Sequence, residues 1–130
     1  MRSGPANMLQ QIGFVAIGGA IGAALRYAVG EWLSSEGFPI ATLTVNLVGS
    51  LALGFLTVAV AQNLVSSNVA LIVATGVLGA FTTMSTFSAE TIDLFDRGDS
   101  TLALIYVGLT MMLCPLLAFI GWKAGEALWI

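Results

Sequence analysis

The 130-residue chain contains no histidine and a single cysteine, and its four lysine and arginine residues face seven aspartate and glutamate residues, for a net charge of −3. Without histidine, and with Cys114 set in a strongly apolar stretch, neither an intrachain disulfide nor a zinc cluster is available. Four cations cannot form the dense basic surface that neutralises phosphates, so a nucleic-acid partner is excluded. Charged residues of all kinds make up 8% of the chain and hydrophobic residues 58%, and the mean hydropathy is +0.97. Water is not the main solvent of such a polypeptide.

A hydrocarbon core about 30 Å thick takes roughly 20 mostly apolar residues in a helix, so this length accommodates four spans with short connections. The pattern predicts an all-α integral membrane protein, one four-span domain over residues 1–130, with spans near 9–33, 40–61, 69–92 and 101–122. Arg2 ahead of the first apolar stretch loosely imitates a signal peptide, but three similar spans follow, and an uncleaved first span is the simpler account.

The first span carries Gly18, Gly22 and Arg26 at intervals of four, hence on one helical face where a second helix can approach closely. The second has no charge but places Thr42, Asn46 and Ser50 in one polar stripe. In the third, Gly76 and Gly79 precede the hydroxyl-rich run Thr82, Thr83, Met84, Ser85, Thr86, Phe87, Ser88. Glycine weakens a helix, and Ser and Thr bond freed carbonyls, so this span is expected to break near Gly79–Thr83. Pro115 inside the fourth span deprives the Met111 carbonyl of its helical donor. Arg2 and Lys123 fall on one side of the bilayer and Arg26 and Arg97 on the other, a null bias that permits insertion both ways and an antiparallel homodimer.

Each candidate residue has two readings. Arg26 either faces an anion or snorkels to the headgroups. The Asn46 amide either lines a water-filled path or bonds a neighbouring helix. Phe87 either turns its electropositive ring edge toward an anion beside the hydroxyls of Ser85 and Thr86, or simply packs. Met84 shares its face at a spacing of three.

With these residues in view, the chain resembles the small fluoride channels, the Fluc family. The resemblance rests on GGAIGAALRY at Gly18–Tyr27, TLTVNLVGSLALG at Thr42–Gly54, TGVLGAFTTMSTFSAE at Thr75–Glu90 and the apolar fourth span. It implies an antiparallel dual-topology homodimer with two fluoride pathways. It also implies Arg26 as the vestibule arginine, Asn46 as the pore asparagine, Ser85 and Thr86 as pore-lining hydroxyls, and Phe87 as the second member of an aromatic pair. Gly79 and Thr82 match positions whose backbone carbonyls hold a central structural sodium ion. The chain departs at Met84, where the pattern TTFSTF has its first phenylalanine, and Thr110 and Cys114 occupy the polar track of the fourth span.

The implied function is passive, fluoride-selective export across a prokaryotic inner membrane, conferring fluoride resistance, with fluoride, sodium and membrane lipid as partners. A small multidrug exporter would need a carboxylate well within the membrane, and Glu31 lies at the end of its span. A non-transporting assembly subunit needs only glycine-rich helices. An intramembrane enzyme finds neither a metal cluster nor a nucleophile beside a base.

Overall fold

The computed structural model describes residues 5–130, with side chains from residue 7; Arg2 and its place in the charge balance lie outside the described residues. α1 (Pro5–Trp32), α2 (Ile40–Ala61) and α6 (Ser100–Trp129) are continuous rods. The third span is assembled from pieces: α3 (Ser67–Ala70), eight residues of wide π-helical turns (Leu71–Leu78), α4 (Gly79–Phe81), a break, and α5 (Met84–Asp96). Four helical stretches are long and apolar enough to cross a membrane, and no strand occurs among the described residues. Leu9 at 70% and Met112 at 75% exposure show what the exterior is made of, and side chains of that kind require lipid rather than water around them.

Local chemistry explains the boundaries. Pro39 precedes the first turn of α2 and the Ser66 hydroxyl accepts the Val69 N–H at 3.2 Å, capping α3. Gly98, at φ +85°, allows the tight corner between α5 and α6. The fourth helix continues past Trp122, where the sequence reading closes the span, because its last turns are satisfied at the surface: Trp122 Nε1 and Lys123 Nζ donate to the two carboxylate oxygens of Glu126 at 2.8 and 2.7 Å.

Two helix pairs make up the molecule. α1 packs on the π-helical segment and α4, while α2 packs along α6. Both seams are glycine seams. A Cβ at Gly18 or Gly22 would strike the carbonyls of Ile72 or Val77, and a Cβ at Gly76 would lie 2.8 Å from the Gly18 Cα. Across the other seam, Gly54 meets the Ala118 carbonyl and Gly121 the Leu51 carbonyl. In lipid there is little hydrophobic drive between helices, so backbone-to-backbone approach supplies the dispersion contact that holds them.

The apolar core sits at one end, where Leu43, Phe87, Leu94, Ala103 and Tyr106 are buried together. Gly54→Val is expected to cost about 1–3 kcal/mol or more through forced separation of α2 and α6. In a thermal-stability measurement on detergent-solubilised protein it should lower Tm markedly, while Gly13→Ala, whose Cβ meets nothing within 4 Å, should not.

Candidate functional site at the broken third span

The chain leaves helical geometry at Thr82 (φ −83°, ψ 156°) and Thr83 (φ −152°, ψ 119°), within the stretch where glycines and hydroxyls predict a break. An extended pair in the middle of a span exposes backbone groups that lipid cannot satisfy. Asn46 satisfies them. Its Oδ1 accepts the Thr83 N–H at 2.8 Å, and its Nδ2 donates to the Thr83 carbonyl at 3.1 Å, so one side chain holds both polar groups of the broken residue. The side chain is buried at 8% exposure, and one amide hydrogen remains beyond this pairing.

Arg26 serves the other half of the break. Its Nε donates to the Ala80 carbonyl at 3.0 Å, placing a cation at the C-terminal end of α4 where carbonyl dipoles converge. The guanidinium is thus tied to the break rather than released to the headgroups, while it also lines an open cavity.

α5 begins anew with Thr83 as its cap. The Thr83 hydroxyl accepts the Thr86 N–H at 3.2 Å and donates to the Thr86 hydroxyl at 3.1 Å; Ser85 Oγ lies 3.4 Å from it. These substitutions have a consequence for the carbonyls. Thr83 N–H is the group that would bond the Gly79 carbonyl in a continuous helix, and Thr86 N–H would bond that of Thr82. Both are diverted, the first to Asn46 and the second to the cap. Gly79 and Thr82 therefore present oxygen acceptors without their helical donors.

Two cavities flank this joint. One, of about 510 Å³, is lined by Arg26, Glu31, Thr42, Thr83, Thr86 and Glu90 among others. The second, of about 400 Å³, is lined by Asn46, Ser50, Gly79, Thr82, Thr83, Met84, Thr110, Met111 and Cys114 with neighbouring apolar residues. Thr83 lines both. The Thr42, Asn46, Ser50 stripe runs from the first cavity to the second, with the Asn46–Thr83 joint between them.

Met84 and Phe87 do not share the common face that their spacing predicts. α5 starts at Met84, and its rotation leaves Met84 62% exposed toward the second cavity while Phe87 turns into the core at 6%. The Phe87 ring meets Tyr106 edge-on, centroids 4.9 Å apart at 63°, and Phe38 meets the same tyrosine at 5.5 Å and 74°. Tyr106 also donates to Glu90 Oε1 at 3.0 Å, joining one of the first cavity's two carboxylates to the core. Tyr106 is not among the residues that the sequence pattern singles out; its signal is a polar hydroxyl in an apolar span, sixteen residues after Glu90. Thr110 is buried at 4% and its hydroxyl has no partner, and Cys114 lies one turn beyond. No group of three His, Cys, Asp or Glu that could hold a metal occurs among the described residues.

Comparison with known proteins shows the family to which this chain belongs. The chain is 42% identical to the "Fluoride-specific ion channel FluC" of Thermus thermophilus over 88% of its own length and 92% of the relative's. It is 46% identical to the FluC of Magnetococcus marinus over 89% and 98%, and 42% identical to that of Agrobacterium fabrum over 90% and 97%. The family model described as "CrcB-like protein, Camphor Resistance (CrcB)" matches residues 13–122. With four membrane-spanning helices, a broken third span and a match over most of its length, the chain is a multi-pass membrane protein and belongs to the CrcB-like family.

Proposed function

We propose that this chain is a fluoride-selective channel that lets fluoride leave a bacterial cell passively, down its electrochemical gradient. The observation that carries the reading is the pair of cavities joined by a polar stripe through the Asn46–Thr83 joint. Fluoride is small and tightly hydrated, so a path must replace its water with several donors while holding it weakly enough at each to release it. Among the described residues, Arg26 is the one cation in the first cavity, set against the Glu31 and Glu90 carboxylates, and attracts an anion locally toward the broken span to which its Nε is tied. The free amide hydrogen of Asn46 and the hydroxyls of Thr86, Ser85 and Thr110 are the donors onward, and Met84 offers a methyl surface where a ring edge would otherwise stand. The Phe87 ring, buried against Tyr106, supports the pathway wall within one chain. The reading assigns the chain no catalytic chemistry.

The assembly belongs to the same proposal. The second cavity is open, and an antiparallel second copy of the chain in the bilayer would close it and supply a second pathway; among the described residues, Arg26 and Arg97 against Lys123 leave little bias against either orientation. The freed carbonyls of Gly79 and Thr82 suit a hard cation that takes oxygen ligands, and sodium between two copies would add fixed positive charge at the centre. These donors fit the ion that the family resemblance implies.

Fluoride release from liposomes, read by a fluoride electrode beside a chloride control, should be fast and selective. Asn46→Ala, which removes two bonds each worth about 1 kcal/mol, should slow it about tenfold or more. Release of chloride at a comparable rate, or coupled proton movement, would refute passive selective conduction. Exhaustive replacement of sodium by N-methylglucamine should lower the Tm of the purified protein, and added NaCl but not choline chloride should restore it; a Tm indifferent to sodium would refute the structural ion.

A further inference from the structure

The second cavity is mostly apolar but rich in sulfur. Three of its lining residues carry sulfur: Met84 where α5 begins, and Met111 and Cys114, three apart and so on one face of α6. No carboxylate or lysine lines it, so, beside the neutral carbonyls of Gly79 and Thr82 at its edge, assigned above to sodium, the cavity offers hard cations no charged ligand among the described residues. Beside the sulfurs, and apart from the Gly79 and Thr82 carbonyls at the break, stand two further unused oxygens. Thr110 Oγ1 is the one buried side-chain oxygen without a hydrogen-bond partner among the described residues, and the Met111 carbonyl lacks its helical donor because residue 115 is proline. Thioethers and a thiol around a mostly apolar space are the ligand set that selects soft d10 cations.

We propose that Met84, Met111 and Cys114 form a binding site for a soft monovalent cation of the Cu(I) or Ag(I) class, and that its occupancy closes this cavity to ions. Coordination forms a bond from the Cys114 sulfur to the metal, and the thiol proton leaves to solvent. The resulting thiolate and monovalent cation are together neutral, which suits burial in a low-dielectric site. The two thioethers complete the coordination without adding charge. Met84, at 62% exposure, is unbranched and flexible enough to swing onto the ion from the broken span. The binding claim stands on the cavity alone, while the closure rests on the channel reading.

The test is equilibrium dialysis of the purified full-length protein against silver nitrate in chloride-free buffer, with bound silver counted by mass spectrometry. The same preparation is then assayed for fluoride release from liposomes with and without silver. One silver ion per chain is expected, lost in Cys114→Ser, with affinity weakened about tenfold or more in Met84→Leu and in Met111→Leu. Met112→Leu, outside the cavity, should bind as the parent does. Silver should stop fluoride release by the parent, and each variant is compared with its own silver-free rate. Binding unchanged in both Met84→Leu and Met111→Leu would overturn the site, since the thiol alone would then explain it. Fluoride release without silver binding would overturn the site and leave the channel standing. Silver binding in a protein that releases no fluoride would do the reverse.

Discussion

A side-chain amide placed against the backbone of a neighbouring span governs this molecule. Thr83 cannot be extended in the middle of a membrane unless its N–H and carbonyl are both bonded, because each unpaired group in hydrocarbon costs several kcal/mol. Asn46 meets both at once, at 2.8 and 3.1 Å. From that pairing the rest follows. α5 can restart with its own cap, Arg26 can close the end of α4 through Ala80, and the carbonyls of Gly79 and Thr82 are released from helical duty. Remove the amide and the cheapest recourse for the backbone is to resume the helix, which would rotate every residue from Met84 onward.

The glycine seams set the distance at which this pairing works. α2 reaches Thr83 because Gly49 leaves room beside the Thr82 side chain, where a Cβ would collide with its methyl group. α1 delivers Arg26 to Ala80 because Gly18 and Gly22 let it lie against the π-helical turns. Those turns are wider than α-helical ones, and such segments cost hydrogen-bond geometry that tight packing against a bare glycine face offsets. The seams and the break are therefore one arrangement: close packing brings the polar side chains near enough to support a discontinuity that lipid would otherwise forbid.

Much of this was legible in the residues. Glycines at 76 and 79 ahead of five hydroxyls within seven residues marked the place where the helix fails, and the interval-of-four stripe marked Gly18 and Gly22 as a contact face. Other features were not. Nothing in the LIVATGVL run of Leu71–Leu78 distinguishes π-helical from α-helical turns, since an almost uniformly apolar stretch carries no polar face from which a period could be read. Asn46 was readable as polar on a stripe, but its partner is a backbone 37 residues away, and backbone partners leave no mark in composition. Met84 and Phe87 at a spacing of three imply a shared face only within an established helix. Met84 is its first residue, so the cap geometry of Thr83 and the core around Tyr106 decide where each side chain goes.

Hydrogen–deuterium exchange at the Thr83 amide, measured in detergent or nanodiscs for the parent and for Asn46→Leu, tests this account most directly. The parent amide should be protected although it lies outside any helix, and the substitution should speed its exchange about tenfold or more while amides along α6 stay unchanged. An amide that exchanges in the parent as freely as those of the α1–α2 connection, or that remains equally protected in Asn46→Leu, would contradict the claim that Asn46 holds the broken span.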